Sequence, residues 1–368
     1  MRMRDRVGLS LVALVAAVAL ALLFEWIAMQ RAANQPGAAV TMQDFEVGKG
    51  ASMRSILRSL QQKQLINSAR NLELYLRCCQ RGTSFTGEGI KAGRYRIAPG
   101  QSPLAILRQL TEGRVVLEQV TIIEGWTFAQ MRTELEHHQS IQPTLGARSD
   151  AEIMQALQNP GLSAEGRFAP DTYSFAPGTT DLQLLRMAFE AQRHVLEDAW
   201  NSRQPGLPFT TMDEALILAS IVEKETGLAS ERARVAGVFV NRLRKGMRLQ
   251  SDPTVIYGIR DHYDGNIRKR DLTTDTPYNT YTREGLPPTP IALPGRDSIV
   301  ATLHPEKTDA IFFVATGDGS GGHYFSATVS EHNQAVQRYL ERLHRAVPTP
   351  EVAPATNAAA ESATSPKP

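Results

Sequence analysis

The stretch TMDEALILASIVEKETG, residues 211–227, decides the fold of the larger part of this chain. Its first four residues have the Thr-x-x-Glu form of a capping box, which predicts that a helix begins there. Residues 215–222 are apolar nearly all the way round a helix, and such a helix is buried rather than lying at a surface. Gly227 is placed as a stop. The stretch therefore predicts a buried helix that ends in two glutamates.

The glutamates at the end of this helix are candidates for acid catalysis. Cleavage of a glycosidic bond needs a carboxylic acid that is still protonated near neutral pH. At Glu223, desolvation and the negative end of the helix dipole are both expected to favour the protonated form. The positive charge of Lys224 would oppose both effects if its side chain folded back toward Glu223. Helix geometry instead points Lys224 about 100° away from Glu223. Glu225 projects toward another face, so the two carboxylates diverge. A solvated helix end with a surface ion pair is the alternative interpretation.

The loops that follow are rich in Gln, Asn, Tyr and Thr, which suits the recognition of sugars. They cover residues 247–258, 278–281 and 285–291, although each loop taken singly is explained by ordinary turn chemistry. The chain has no Gly-x-Ser-x-Gly motif, no phosphate loop and no His-Glu-x-x-His motif. The spacing of His323 and His332 matches no common metal site. These patterns favour carboxylic acid chemistry on a glycan.

An apolar segment at the N-terminus, residues 7–24, follows three arginines within the first six residues. A helix of that length spans about 27 Å, close to the hydrocarbon thickness of a bilayer. The positive-inside rule keeps the arginines in the cytoplasm and places everything after Ala28 outside it. We predict a retained anchor; a cleaved signal peptide is the alternative and gives the same compartment. The net charge of +2 lacks the basic excess of a nucleic-acid binder.

The segment after the anchor has the pattern of a small α+β module. Alternating residues at 45–47 and 91–97 predict two strands. Apolar periodicity predicts two helices between them. A further helix is expected between Ser102, its N-cap, and Gly113, its stop.

Composition divides the chain into six parts. The small module and the larger domain are both predicted to be α+β. Small polar residues follow the anchor, as in a stalk, and the C-terminal residues are mostly Pro, Ala, Thr and Ser, as in a disordered tail. Residues 165–175, EGRFAPDTYSF, are loop-like and aromatic, and their pattern is too regular for an arbitrary connecting loop. The parts are a cytoplasmic N-terminus, a transmembrane anchor, a stalk, a small module, a larger catalytic domain and a tail, at residues 1–6, 7–28, 29–44, 45–118, 119–345 and 346–368.

Five separated motifs resemble those of the endolytic murein transglycosylases, the YceG-like or MltG family. The motifs are ASIVEKET at 219–226, VNRL at 240–243, LQSDPTV at 249–255, YNTY at 278–281 and GLPP at 285–288. The resemblance extends over about residues 45–345. It departs at Thr289, where the family commonly has Gly.

The resemblance implies an enzyme with a LysM-like module and a catalytic domain whose essential acid matches Glu223. Such enzymes cleave the bond between N-acetylmuramic acid and N-acetylglucosamine in nascent peptidoglycan without water. The muramyl C6 hydroxyl attacks its own anomeric carbon and leaves a 1,6-anhydro end. Since both reacting groups share one ring, the entropy of a bimolecular attack is avoided. One glutamate can act as acid and then as base, and no metal or cofactor is implied.

The same resemblance implies an inner-membrane enzyme whose catalytic body is periplasmic. It is expected to act on glycan strands as a terminase of elongation, with penicillin-binding synthases as neighbours and without nucleic acid. Weaker expectations of substrate placement fall on five residues of the matching motifs, namely Gln250, Ser251, Asp252, Asn279 and Tyr281.

Two other functions are compatible with the residues. A non-catalytic adaptor could bind glycan and place synthases along the wall. A hydrolase that uses water needs a second carboxylate, for which Asp252 is the candidate at a carboxyl separation of about 6.5–9.5 Å.

Overall fold

The computed structural model describes residues 3–79 and 89–346, so the predicted tail from residue 347 onward lies outside the described residues. Helices and strands are mixed along the chain, as the predicted α+β class requires. The chain forms two compact units. The first consists of Met1–Ile122, Ala129–Gly161 and Asp171–Met187, and the second consists of Ile123–Phe128, Leu162–Pro170 and Ala188–Pro368.

The predicted module is part of the first unit. Its elements, in chain order, are β1 (Gln43–Val47), α2 (Met53–Gln62), α3 (Ala69–Cys79), β2 (Gly93–Ile97) and α4 (Pro103–Glu112), which follow the N-terminal helix α1 (Met3–Asn34). The strands pair antiparallel, with Phe45 opposite Tyr95, and both rings are buried in the core of the module. The side chain of Ser102 caps α4, and Gly113 ends it in the left-handed conformation. The presence of both strands and the two ends of α4 agree with the prediction from periodicity and caps, whereas strand pairing is not predictable from these signals.

Helix α1 continues past the predicted end of the anchor. It contains an apolar span, Leu11–Asn34, that is long and apolar enough to cross a membrane. Ala32 and Ala33, near its end, are buried in the core of the module. Gly37 approaches the backbone of Gln64 so closely that no Cβ would fit. Most residues between 34 and 44 are exposed, so the stalk at 29–44 stays a prediction, with close packing at Ala32, Ala33 and Gly37.

The rest of the first unit consists of short elements. They are β3 (Glu118–Thr121), α5 (Phe128–His137), β4 (Ile141–Gln142), α6 (Asp150–Ala156), β5 (Thr172–Phe175), β6 (Thr179–Thr180) and the start of α7 (Asp181–Asn201). β3 pairs antiparallel with β5, and β4 pairs parallel with β6. Asp181 is buried, and its carboxylate accepts hydrogen bonds from the N–H groups of Thr144 and Leu145. These bonds satisfy the buried charge at the start of α7.

The second unit is built around one buried helix. Its elements after α7 are α8 (Met212–Glu225), α9 (Arg232–Arg244), α10 (Asp252–Gly258), a 3-10 turn (Arg260–His262), α11 (Lys269–Thr273), α12 (Arg296–Leu303), β7 (Phe312–Ala315), β8 (His323–Ser326) and α13 (Val329–Ala346). α8 begins with the predicted capping box between Thr211 and Glu214. Residues 215–222 are all buried, and α9 and α12 pack against them. The prediction of a buried helix is confirmed.

Two glycines of the second unit allow the packing of the segment 162–170 to be tested. Gly166 and Gly206 have φ angles of +80° and +74°, but a Cβ at Gly166 would overlap the ring of Pro290, whereas Gly206 faces open space. We expect Gly206→Ala to lower the free energy of unfolding by about 1–2 kcal/mol, the cost of left-handed backbone alone. Gly166→Ala should lower it further because Pro290 must also move. Denaturant unfolding measures the difference, and equal losses would contradict the close contact.

Candidate active site

Glu225, the last residue of α8, carries a carboxyl group with an unusual environment. The residue as a whole is half-buried, and its Oε1 accepts a hydrogen bond of 2.5 Å from Oγ of Ser251. Burial raises the pKa of this carboxyl group to about 7. The Ser251 hydrogen bond opposes the rise, the negative charge of Asp252 adds to it, and Arg242 opposes it. The group can therefore hold or release a proton near neutral pH, as a general acid must.

Ser251 provides this hydrogen bond from the start of α10. It occupies the N-cap position, but its hydroxyl makes no capping bond to the helix because it donates to Glu225 instead. The N–H of Ser251 donates to Oγ1 of Thr280 at 3.0 Å, which fixes its place. Ser251 is 1% exposed. The sequence suggested that Ser251 places substrate, whereas the structure gives it a contact with the candidate acid.

Asn279 holds a loop together. Its side chain is fully buried, and Nδ2 donates to the carbonyl oxygens of Asp271, Leu272 and Thr274. Its Oδ1 accepts a hydrogen bond from the N–H of Tyr281. Because the amide is enclosed and bonded to backbone, it supports the loop, and its predicted part in substrate placement stays a prediction.

Asp252, Tyr281 and Gln250 present polar atoms around Ser251. Tyr281 donates its hydroxyl to Oδ1 of Asp252 at 2.6 Å, and burial together with this bond raises the pKa of Tyr281 above its ordinary value. Asp252 is exposed. Gln250 is exposed as well, with a φ of +50°, and its N–H donates to the carbonyl oxygen of Thr280. These three residues remain available for contact with a substrate.

Glu223 has a different set of neighbours. It is half-buried, and its Oε2 accepts a hydrogen bond of 2.9 Å from the N–H of Gly295, the residue before α12. Lys224 does not fold back on it, since its Nζ donates to the carbonyl oxygen of Gly125 at 3.1 Å. Burial and the negative charge of Glu223 raise the pKa of Glu124, while Arg232 opposes this rise. Glu223 therefore belongs to a cluster of charged groups beside α12.

The environment expected of the acid is found at Glu225, two residues after the predicted position. The carboxylates diverge as predicted, because two residues correspond to about 200° around the helix. One reaches Ser251 and the other reaches Gly295. The position on the helix does not reveal this difference, since Glu225 projects near Leu218 and Ile221, and these are no more buried than the apolar residues on the side of Glu223.

The two histidines considered as metal ligands have protein partners. Nδ1 of His323 lies 2.8 Å from Oε2 of Glu231, and the ring of His332 stacks on Phe312. Within residues 3–79 and 89–346, no group of three or more His, Cys, Asp or Glu side chains is arranged to hold a metal ion. Glu231 occupies the N-cap position of α9, so its contact with His323 ties α9 to β8.

Known proteins resemble this chain over most of its length. Residues 45–338 match the YceG-like family. A relative from Bacillus subtilis (strain 168), named endolytic murein transglycosylase, is 31% identical over 317 residues, which are 82% of this chain and 85% of the relative. A relative of the same name from Streptococcus pneumoniae serotype 2 (strain D39 / NCTC 7466) is 28% identical over 68% of this chain and 51% of its own length. A yceG-like protein of Listeria monocytogenes, solved by crystallography, is 30% identical with a TM-score of 0.48, covering 80% of this chain and 99% of that chain.

The hydrogen bond from Ser251 provides a test of the environment of Glu225. Ser251→Ala should raise the pKa of Glu225 above about 7, because the lost bond favours the ionised carboxylate. A hydrogen bond to a charged group contributes about 1.5–3 kcal/mol, so the titration midpoint should move upward by about one to two pH units. The midpoint is measured by ¹³C NMR of glutamate labelled at the carboxyl carbon, with Glu225→Gln to assign the signal. Ser230→Ala, at an exposed serine, is the matched control. An unchanged or lower midpoint in Ser251→Ala would contradict the assignment.

Proposed function

The chain belongs to the YceG-like family, and we propose that Glu225 is the acid with which it cleaves the glycan strands of murein. Its activity is that of an endolytic murein transglycosylase, a lyase that acts on peptidoglycan. The observation that carries the assignment of the acid is the carboxyl group of Glu225, which burial holds at a pKa of about 7 at the end of α8. A carboxyl group with that pKa can donate a proton and then accept one at neutral pH.

The proposed reaction needs one carboxyl group. Protonated Glu225 donates its proton to the oxygen between N-acetylmuramic acid and N-acetylglucosamine as that bond breaks, so the leaving sugar departs as a neutral alcohol. The C6 hydroxyl of the muramyl residue forms a new bond to its own anomeric carbon and gives its proton to the Glu225 carboxylate. The products are a 1,6-anhydro end and an enzyme ready for another turnover. No water is consumed because the nucleophile belongs to the same ring.

The neighbours of Glu225 support this cycle by favouring opposite protonation states. Burial and the charge of Asp252 favour the acid that starts the reaction, whereas Ser251 and Arg242 favour the carboxylate that ends it. Asp252, Tyr281 and Gln250 are the proposed substrate contacts, since their polar atoms lie around Ser251.

Glu223 is the second candidate for the acid. It lies in the same motif and is partly exposed, so a glycan could reach it. Its Oε2 accepts the hydrogen bond from the N–H of Gly295, so a donated proton would come from Oε1. Substitution of each glutamate distinguishes the two assignments.

We also propose that α1 is a single-pass anchor of the inner membrane, with its N-terminus in the cytoplasm and the catalytic body in the periplasm. The span Leu11–Asn34 has the required length and composition, and arginines precede it. The order β1-α2-α3-β2 with antiparallel strands supports a LysM-like module at 45–118, followed by the catalytic domain at 119–345. An anchored enzyme with such a module would meet nascent strands near penicillin-binding synthases and could terminate their elongation.

Amide substitutions test which glutamate is the acid. Glu225→Gln should lower the turnover of full-length enzyme in detergent by about 10²–10⁴-fold, because an amide cannot supply the proton. Glu223→Gln should stay within about tenfold of the wild type, the effect of one altered hydrogen bond. Turnover is measured on soluble glycan strands by chromatography, with thermal unfolding to show that both variants are folded. Loss of activity in Glu223→Gln together with retention in Glu225→Gln would move the acid to Glu223.

The ends of the products distinguish the three functions considered from the sequence. The wild type should release 1,6-anhydro ends from murein sacculi, as mass spectrometry detects. Ordinary reducing ends would favour a hydrolase with Asp252 as the second carboxylate. Binding of sacculi without shortening would favour the adaptor.

A further inference from the structure

Glu165 is a buried carboxyl group that the proposed reaction does not use. It lies in the segment 162–170 of the second unit and is 7% exposed. Its Oε1 accepts a hydrogen bond of 2.9 Å from the N–H of Phe128, and its Oε2 accepts one of 2.9 Å from the hydroxyl of Tyr257. A carboxyl group is costly to bury, so its two partners and its position call for a physical explanation.

Each partner of Glu165 belongs to an element that reaches the end of α8. Phe128 closes the segment Ile123–Phe128, whose Gly125 accepts the hydrogen bond from Lys224. Tyr257 lies in α10, the helix that begins after Ser251. Ser251 in turn donates to Glu225. Through one side chain, two segments that flank the Glu-Lys-Glu motif are therefore joined.

The link depends on the protonation state of Glu165. Burial raises the pKa of its carboxyl group to about 7, while the hydrogen bonds from Phe128, Tyr257 and the backbone of Gly166 and the charge of Arg260 oppose the rise. An ionised carboxylate accepts from both donors at once. A protonated carboxyl group is a weaker acceptor than a carboxylate, so protonation weakens the hydrogen bonds from Phe128 and Tyr257.

We propose that Glu165 is a positioning residue for glycan cleavage, whose ionised carboxylate holds the segment Ile123–Phe128 and helix α10 in place around the end of α8. The proposal rests on Glu225 as the acid. Glu165 touches no reacting atom and acts through Tyr257 and Ser251. Its protonation weakens the hold on α10 and with it the hydrogen bond that Ser251 makes to Glu225.

The two glutamates then impose opposite requirements on pH. Glu225 must start protonated, so activity falls as pH rises through about 7. Glu165 must be ionised, so activity also falls as pH drops through about 7. The plot of kcat against pH should therefore be a narrow bell with an acidic limb from Glu165 and an alkaline limb from Glu225.

Substitutions of Glu165 and Tyr257 test the proposal in the full-length enzyme in detergent with soluble glycan strands. Glu165→Gln should remove the acidic limb, keep the alkaline limb and lower kcat at pH 7 by about tenfold to a hundredfold, the range expected for a displaced catalytic group. Tyr257→Phe should lower kcat by about threefold to tenfold, the effect of one hydrogen bond, with KM nearly unchanged. Tyr278→Phe is the matched control, because its hydroxyl bonds to Thr289 and its ring packs against Tyr257, and it should retain both limbs.

An acidic limb that persists unchanged in Glu165→Gln would overturn the proposal, as would an equal effect of Tyr257→Phe and Tyr278→Phe on the pH profile. If Glu165→Gln fails to fold, Tyr257→Phe decides alone, because it leaves the carboxyl group in place. Failure of the assignment of Glu225 is separate, since Glu225→Gln would then keep both its activity and the alkaline limb.

Discussion

The burial of α8 on every side is the constraint on which the second unit depends. A helix that is apolar all round gains stability only if other elements cover each of its faces. α9, α10 and α12 pack against it, and the segment before α12 contributes Ile291 to the same core. Ser220, the polar side chain within the buried stretch 215–222, donates to the carbonyl oxygen of Ile217 and accepts from the N–H of Ile291. The hydrogen bond from Ile291 fixes the position of the segment that begins there relative to the helix.

Because the middle of α8 is apolar, its polar chemistry is confined to its ends. The segment from Ile291 brings Gly295 to Glu223 and pairs Leu293 with the backbone of Gly125 and Trp126. Elsewhere around the helix end, α10 brings Ser251 to Glu225. The helix twist therefore gives two nearly adjacent glutamates different environments. A reaction whose nucleophile is already part of the substrate needs the proton of one of them.

The sequence predicted what local signals determine. The capping box starts α8, Ser102 and Gly113 bound α4, and the alternating residues of β1 and β2 identified both strands. It could not predict interactions between distant segments. Ser251 could be interpreted as a helix cap or a substrate contact, because nothing near it reveals that its hydroxyl bonds to a residue 26 positions away.

The same limit explains the other differences. Glu165 lies in a segment whose regularity was evident, but its partners are 37 and 92 residues away. Small residues at 29–44 suit a stalk, and nothing in the local sequence shows that Ala32, Ala33 and Gly37 pack closely.

Cleavage of the glycan by one buried carboxyl group without water can be tested by digestion of murein in ¹⁸O-labelled water followed by mass spectrometry. The wild type should give unlabelled 1,6-anhydro ends, and Glu225→Gln should give them at least about a hundredfold more slowly. Incorporation of ¹⁸O at the anomeric carbon, or unlabelled ends from Glu225→Gln at the wild-type rate, would contradict it.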